Sequence, residues 1–311
     1  MLHLKRTWVS IALAIFCSPG AFPQTRTVAI TVDDLPCAGG VSPCDAAAAE
    51  AINRKLLAGL RRHHAPATGF VVQQQVEELG ALGPQILKEW TKGEFALGNH
   101  SYSHPDANEL SAAQMEDEIV RGETDLVPLM KEAGKKPGFF RFPMNHTGDT
   151  LQKHQQLVAF LAQRAYRLAT CTIDNSDYIF NEAYVRMLAR HGFSVRKLRK
   201  EYLAYTSAEI DYYAGLSRQV LGYEPPEVML LHDNRLNADV IEELLVLFER
   251  KHYTFVSLET AQSDPAYRTA DTYTTPYGPM WGYRWAAERN VKVDGSLEPE
   301  PPRWIVEHAQ P

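Results

Sequence analysis

What this 311-residue chain lacks excludes several classes of protein. It has four cysteines, so it is not a disulfide-dense scaffold, and its length supplies enough apolar core to fold without such links. It has no patch of basic residues with interleaved aromatics, which argues against nucleic acid as a substrate. It has no internal repeats and no low-complexity tract. Its composition, 45% hydrophobic and 23% charged, is that of an ordinary globular protein.

Long apolar runs are scarce, and the N-terminal one is short for a bilayer span. Lys5 and Arg6 precede an apolar run at 8–16, and small residues follow it. This order is typical of a secretory signal peptide, which we assign to residues 1–24. A retained N-terminal anchor is the alternative. The sequence therefore predicts a periplasmic or secreted protein with no integral membrane span after cleavage.

Export implies an oxidising compartment for the remaining cysteines. Cys37 and Cys44 flank a flexible stretch and can close a small disulfide loop there. Cys171 lies in an apolar, strand-like run and is most simply a buried thiol.

Short apolar runs alternate with longer amphipathic segments from residue 27 to about residue 259. The run 27–32 is β-branched and bounded by polar residues, as is typical of a buried strand. Such alternation predicts a parallel sheet with right-handed crossovers. Further strands are predicted at 67–72, 94–98, 139–142, 167–173, 228–231 and 253–256, and helices at 46–62, around 82–90 and from Ser111 to about Glu132.

An open doubly wound sheet and a closed barrel both fit this alternation. Polar residues at or just after the C-terminal ends of five strands favour the barrel, whose reactive residues gather on that face. From residue 266 the sequence becomes rich in proline, glycine and aromatics without helical periodicity. We expect 266–311 to be an irregular extension packed on the barrel, because so many aromatics would otherwise lie in water. The five strand-end positions are Asp33-Asp34, His100, Arg141, Asp174 and His232.

Two histidines and two aspartates are the first candidates for a metal site. His100 and His104 would share one face of a helical turn, and two imidazoles at that spacing suit zinc or a similar ion. Such a pair is more often used for capping or surface hydrogen bonds. The adjacent carboxylates of Asp33 and Asp34 favour a metal, since they repel each other unless something positive lies nearby. An exposed turn is the alternative, and the preceding strand-like run disfavours it.

Five ordered motifs are more specific than any one of these pairs, and together they resemble the polysaccharide deacetylases. This is carbohydrate esterase family four, also called the NodB-homology domain. The resemblance implies an irregular (β/α) barrel over residues 25–265, which removes acetyl groups from N-acetylglucosamine polymers or acetylated xylans with a bound divalent metal. The motifs are Thr31-Val32-Asp33-Asp34, His100-Ser101-Tyr102-Ser103-His104, Arg141-Phe142-Pro143, Asp174-Asn175-Ser176-Asp177-Tyr178 and Leu230-Leu231-His232-Asp233.

The resemblance also implies roles for individual residues. Asp34, His100 and His104 would bind the metal, with zinc as the default and cobalt or nickel suited to the same ligands.

Two groups would transfer protons. Asp33 would be the general base, held by Arg141, and we expect both the metal and Arg141 to lower its pKa. His232 would be the general acid, with its pKa raised and its ring oriented by Asp177 or by Asp174.

Substrate contacts are implied for four further residues. Leu230 would floor the pocket for the acetyl methyl group, and the backbone N–H of Met144 would help stabilise the oxyanion. The third motif departs from the family, which usually continues with Pro-Tyr-Gly. Met144, Asn145 and His146 follow the proline in this chain, so His146 is a candidate to line an altered groove wall. Tyr178 stands where the family often has tryptophan and offers a smaller sugar-stacking surface.

The sequence thus predicts a secreted, metal-dependent deacetylase acting on N-acetylated amino-sugar polymers such as peptidoglycan or chitin-like chains. One alternative is an O-deacetylase on acetylated xylan or another exopolysaccharide, because the same site would cleave an ester more readily than an amide. Another is a glycan-binding module that has kept the fold and lost catalysis.

Overall fold

The structure, a computed structural model, describes residues 25–38, 44–190 and 194–310. The expected signal peptide, residues 1–24, lies outside the described residues. Among the helices of the described ranges, none combines the length and apolar character that crossing a membrane requires.

A parallel β-sheet forms the centre of the molecule. Its strands are β1 (Arg26–Leu35), β2 (Ala67–Val71), β3 (Ala96–Asn99), β4 (Phe139–Phe140), β5 (Arg167–Leu168), β6 (Glu227–His232) and β7 (Tyr253–Phe255). Their order is β5-β4-β3-β2-β1-β6, and β7 pairs with the start of β1. Beyond β5, Ile173 pairs with Met229 of β6, so the chain leaving one edge of the sheet returns to the other edge. The sheet is therefore curled and partly closed, and the predicted irregular (β/α) barrel is confirmed.

Helices surround the sheet and cover its apolar faces. The predicted helix at 46–62 is observed with the same bounds. The helices are α1 (Ala46–Arg62), α2 (Gln73–Glu78), α3 (Leu82–Glu89), α4 (Ala112–Arg121), α5 (Leu126–Glu132), α6 (Leu151–Gln163), α7 (Asp177–Ala189), α8 (Val195–Leu221), α9 (Arg235–Arg250), α10 (Leu258–Ala261), α11 (Trp281–Glu288) and α12 (Arg303–Ala309).

Strand β1 organises the site because it lies inside the sheet and ends in polar residues. All five consecutive residues from 28 to 32 are buried, as expected for a strand covered on both faces. Residues of β1 pair in parallel register with β6, and Asp33 lies directly opposite His232. This pairing brings residues almost two hundred positions apart in sequence to the same end of the barrel.

Two predicted elements are shorter than expected. The helix from Ser111 begins with a capping box between Ser111 and Gln114, but it ends at Gly122 and a separate helix, α5, follows. A Cβ at Gly122 would lie 2.5 Å from Asn99 Oδ1, so the chain there runs close against the end of β3. The predicted strand at 167–173 pairs as β5 over two residues, and its end pairs with β6 instead.

The expectation that 266–311 is irregular throughout is corrected by the presence of α11 and α12. Both bury apolar side chains in the main core, including Trp281, Trp285 and Ile305. The ring of Trp285 packs edge-on against Tyr267, with 5.4 Å between centroids. The two helices are stabilised by contacts with distant parts of the chain. The sequence of 266–311 therefore shows no helical periodicity of its own. The boundary at residue 266 stays a prediction.

The three described cysteines are in the states that the sequence suggested. Cys37 and Cys44 are joined by a disulfide, and Cys171 is a free, buried thiol. Burial raises the pKa of the Cys171 thiol to about 12, so it remains protonated.

The C-terminal helices should stabilise the whole domain. Replacing the buried Ile305 with Ala should lower the free energy of unfolding by about 2–5 kcal/mol, because it leaves a cavity under α12. Leu297→Ala, at a side chain that is 70% exposed, should change it by at most about 0.5 kcal/mol. Urea denaturation followed by circular dichroism measures both. Equal midpoints for the two variants would mean that α12 does not belong to the cooperative unit.

Candidate active site

The two carboxylates at the end of β1 face different partners. Asp33 is buried, and its Oδ1 accepts a hydrogen bond of 2.6 Å from Arg141 Nη1. Asp34 has a left-handed backbone with a φ of 63°, and its Oδ1 lies 3.2 Å from His104 Nε2. The turn in the backbone separates two charges that would otherwise repel each other side by side.

His100 and His104 lie on the loop that follows β3, and this loop is not a helical turn. The left-handed residues Ser101 and His104, with φ of 74° and 58°, instead curl the loop so that the two imidazole centroids are 5.0 Å apart. His100 Nδ1 donates to the Arg141 carbonyl oxygen at 2.8 Å, which leaves the Nε2 lone pair directed toward Asp34. Burial, together with the nearby His104, lowers the pKa of His100 to about 3, so the ring is neutral.

The residues predicted as metal ligands fit a divalent ion. Asp34 Oδ1 lies 3.6 Å from His100 Nε2 and 3.2 Å from His104 Nε2, and the three ligand atoms lie within 4.8 Å of one another. Asp34 Oδ1 is buried without a hydrogen-bond partner, which is costly unless a ligand satisfies it. Two imidazole nitrogens and a carboxylate oxygen form a donor set that suits zinc and leaves a coordination position open.

Arg141 is fully buried and makes polar contacts on several sides. Nη1 also donates to Thr31 Oγ1 at 2.8 Å, and Nη2 donates to the Thr170 carbonyl at 3.3 Å. The guanidinium carbon lies 4.3 Å above the centre of the Phe70 ring. These contacts hold the guanidinium, and through it Asp33, in one position.

The sequence predicts a lowered pKa for Asp33, but the groups of the protein alone raise it. Burial raises the pKa of Asp33, and this effect outweighs the opposing attraction of Arg141 and His232. A carboxylate in this position keeps an affinity for protons that a solvent-exposed aspartate lacks. A cation beside it would act in the direction expected from the sequence.

His232, the last residue of β6, is fixed by Asp177 at the start of α7. Its Nδ1 donates to Asp177 Oδ1 at 2.6 Å, and its backbone N–H donates to Asp177 Oδ2 at 2.7 Å. The Asn237 side chain donates to the same carboxylate. Burial lowers the pKa of His232, but the attraction and hydrogen bond of Asp177, followed by smaller contributions from Asp34 and Asp33, raise it to about 10.

Asp174 lines the same pocket as His232, and its hydrogen bond is made within its own loop. Its Oδ1 accepts a hydrogen bond from the Ser176 backbone N–H at 3.0 Å, so Asp177 is the carboxylate that contacts His232. Burial, and then repulsion from Asp177, raise the pKa of Asp174. It lies on the wall of the pocket, and its proposed catalytic role stays a prediction.

Nine of the twelve predicted site residues line one pocket of about 390 Å³, and the other three, Asp34, Arg141 and Asp177, each contact a residue that lines it. Leu230 is buried in β6, whereas the side chains of Tyr178 and Met144 are 55% and 46% exposed. The Tyr178 ring stands edge-on to His232, with 6.2 Å between centroids, and His146 Nδ1 lies 2.9 Å from Asp106 Oδ2. The pocket is lined by Asp33, His100, His104, Met144, Asn145, His146, Asp174, Tyr178, Leu230, His232, Gly278 and Met280.

Similarity to known proteins agrees with this geometry. A family model described as polysaccharide deacetylase matches residues 22–165. Those residues belong to the polysaccharide deacetylase family. The peptidoglycan-N-acetylglucosamine deacetylase of Bacillus cereus is 26% identical over 124 residues, which is 40% of this chain and 40% of that protein. The match therefore spans less than half of that relative.

Solved structures of carbohydrate esterase family four (CE4) share the fold. A CE4 esterase from Streptococcus mutans superposes with a TM-score of 0.51 at 20% identity, over 75% of this chain and 86% of that one. A CE4 pseudoenzyme from Bacillus anthracis gives a TM-score of 0.53 at 16% identity, over 77% and 66%. At these identities the likeness concerns fold, and activity must be argued from the site.

Four residues of the site were given no role from the sequence. Thr31, which contacts the Arg141 guanidinium, belongs to the first family motif, and Asn237, which orients Asp177, follows the last motif closely; this proximity is the signal that could have drawn attention to them. Gly278 and Met280 come from the C-terminal segment, and no local pattern connects that segment to the pocket.

Removing one of the three predicted metal ligands should greatly weaken zinc binding. His100→Ala should weaken zinc affinity by more than about 100-fold, since losing even an outer partner of a metal ligand costs about 10–100-fold. His308→Ala, on the exposed face of α12, should bind zinc as the unaltered protein does. Competition with a chromophoric chelator measures both, with circular dichroism checking that each variant folds. Unchanged zinc affinity in His100→Ala would show that these residues do not hold the metal.

Proposed function

We propose that the protein is an exported, metal-dependent deacetylase that hydrolyses N-acetyl groups of amino-sugar polymers, such as peptidoglycan or chitin-like chains, to free amine and acetate. One observation carries this proposal. Two histidines of a three-residue donor set for a metal line the same pocket as a carboxylate held by arginine and a histidine held by aspartate. Family membership of residues 22–165 and the N-terminal sequence pattern support it.

Asp34, His100 and His104 would hold the metal, with zinc favoured and cobalt or nickel compatible. When bound, such an ion lowers the pKa of a coordinated water to about 7 and polarises the acyl oxygen. The neutral state of His100 leaves its Nε2 lone pair available as a ligand.

Asp33 would accept the proton of the attacking water. Its Oδ1 is occupied by Arg141, while its Oδ2 lies 3.7 Å from His100 Nε2 and so faces the ligand cluster. Oδ2 is therefore the oxygen placed to take the proton. Burial of the Asp33 carboxyl raises its pKa and so strengthens its affinity for this proton.

His232 would donate a proton to the departing nitrogen. Asp177 occupies its Nδ1, so Nε2 is the ring nitrogen available to the pocket. With its pKa raised to about 10, the imidazole is protonated at neutral pH and ready to act as an acid. An amine leaves poorly as an anion, which is why amide cleavage needs this proton.

The remaining pocket residues would bind the substrate. Leu230 is the apolar floor for the acetyl methyl group, and the backbone N–H of Met144 would donate to the oxyanion. Tyr178 and His146 would contact the sugar from the pocket walls. A volume of about 390 Å³ is in the range of small-molecule sites and suits one acetylated sugar unit.

Acetate release from a substrate panel tests the proposed activity. The zinc-loaded protein should release acetate from chitooligosaccharides or peptidoglycan. Release from acetylxylan alone would favour the O-deacetylase, and no release from any substrate would favour an inactive glycan-binding module.

Asp33→Asn separates proton transfer from metal binding. The change keeps the shape of the side chain but removes the base, so turnover should fall by about 10²–10⁴-fold while zinc affinity stays within a few-fold. Acetate assays and chelator competition measure the two effects. Turnover equal to that of the unaltered protein would show that the base is misassigned.

Asp177→Asn should lower the pKa of His232 from about 10 toward its ordinary value of 6.5, because its main charged partner is removed. An acid must be protonated to act, so the alkaline limb of the rate profile should move to lower pH. Nuclear magnetic resonance titration of the His232 ring gives the pKa directly, and the rate profile gives the consequence. A larger fall with Asp174→Asn would contradict the assignment of Asp177.

A further inference from the structure

The substrate pocket includes residues that lie far beyond the family match. The match ends at residue 165, yet Gly278 and Met280 line the pocket together with the proposed catalytic groups. We call residues 271–285 the wall segment. Its contacts show how it is held beside the site.

The wall segment packs directly against the loop that carries Met144. A Cβ at Gly278 would lie 1.9 Å from the Met144 carbonyl oxygen, a distance that no side chain permits. Met144 and Asn145 both have left-handed backbones, with φ of 56° and 54°, so the loop is tightly turned at the contact. Three residues further along the wall segment, the backbone N–H of Trp281 donates to the Cys171 carbonyl oxygen at 2.8 Å.

A buried arginine ties the wall segment to the same loop. Arg284 pairs with Asp271 through Nε and Nη2, and Nη2 also donates to Thr147 Oγ1 at 3.1 Å and to the Tyr273 carbonyl at 2.9 Å. His154 Nε2 lies 3.4 Å from Asp271 Oδ2. Arg284 and Asp271 of the wall segment thus contact Thr147 and His154, which lie on or near the Met144 loop. These contacts fix the wall segment relative to the pocket.

Tyr277 lies on this fixed segment with its side chain in solvent. Its backbone N–H donates to Thr275 Oγ1 at 3.2 Å, and the preceding carbonyl of Pro276 accepts from Asn108 Nδ2 at 3.3 Å. The side chain is 73% exposed, although the next residue, Gly278, lines the pocket. An exposed aromatic ring whose backbone is held next to a pocket-lining residue loses little entropy on binding a ligand and can cover an apolar face.

We propose that Tyr277 contacts a sugar ring of the glycan chain next to the acetylated unit, so that the wall segment forms one side of the substrate site. This inference rests on the proposed function. The ring face of a pyranose is apolar C–H surface, which an exposed tyrosine ring can cover while its hydroxyl stays in water. Tyr178 and Met144 line the pocket and are also exposed, so they add further apolar surface that a sugar ring can contact.

Tyr277→Ala should raise KM for an N-acetylglucosamine tetramer by about 5- to 10-fold and change kcat less than about 2-fold, as expected for a lost aromatic contact remote from the reacting atoms. Hydrolysis of 4-nitrophenyl acetate, which has no neighbouring sugar, should be unchanged. Tyr277→Phe should behave like the unaltered protein. Leu297→Ala is the matched control, because it removes another exposed side chain of the C-terminal region, outside the wall segment.

Tetramer binding measured by calorimetry in the Asp33→Asn background separates this inference from the proposed reaction. Adding Tyr277→Ala should weaken tetramer binding by about the same 5- to 10-fold, whether or not the unaltered protein releases acetate. Binding and KM in Tyr277→Ala equal to those of Leu297→Ala would overturn the inference and leave the deacetylase proposal standing. Absence of any tetramer binding in Asp33→Asn would overturn it as well.

Discussion

The buried guanidinium of Arg141 is the interaction on which the site depends. Its side chain binds Asp33, and its own carbonyl oxygen accepts the Nδ1 hydrogen of His100. One residue thus sets the orientation of the proposed base and of a proposed metal ligand. A buried charge is tolerated only when it is paired and hydrogen-bonded. Thr31 and the carbonyl of Thr170 meet this need because they accept hydrogen bonds from the guanidinium. The distance between the proposed proton acceptor and the proposed metal ligands is therefore fixed by the protein's own hydrogen bonds.

Two histidines of one pocket are driven in opposite directions by their surroundings. His100 is buried next to another imidazole, and its pKa falls to about 3; His232 is buried against Asp177, and its pKa rises to about 10. A cation held by Asp34 would cancel part of the attraction that His232 feels from Asp34 and Asp33, but it would leave the hydrogen-bonded Asp177 in place. The first ring is thereby suited to donate a lone pair and the second to donate a proton, which is how one side chain type serves two functions.

The sequence predicted what depends on local pattern. The β-branched run of β1, the bounds of α1 and the capping box at Ser111 follow from nearest neighbours, and polar residues at strand ends indicated the barrel face. The loop at His104 and the helix end at Gly122 were not predicted, because each is set by a close approach of another part of the chain. The raised pKa of Asp33 was also missed, since burial of a single side chain cannot be read from its neighbours in sequence.

The C-terminal contribution to the pocket has no local signature in the sequence. The proposed chemistry resides in motifs at strand ends, where each motif has a local signature. The wall segment reaches the pocket through tertiary contacts between residues more than a hundred positions apart, such as Arg284 with Thr147 and Gly278 with Met144. The wall-segment partners of those contacts lie outside residues 22–165, as do Asp177 and His232 of the proposed proton donor. On the proposed function, the reactive groups would come from strand ends, and one side of the glycan site would come from a segment held only by tertiary contacts.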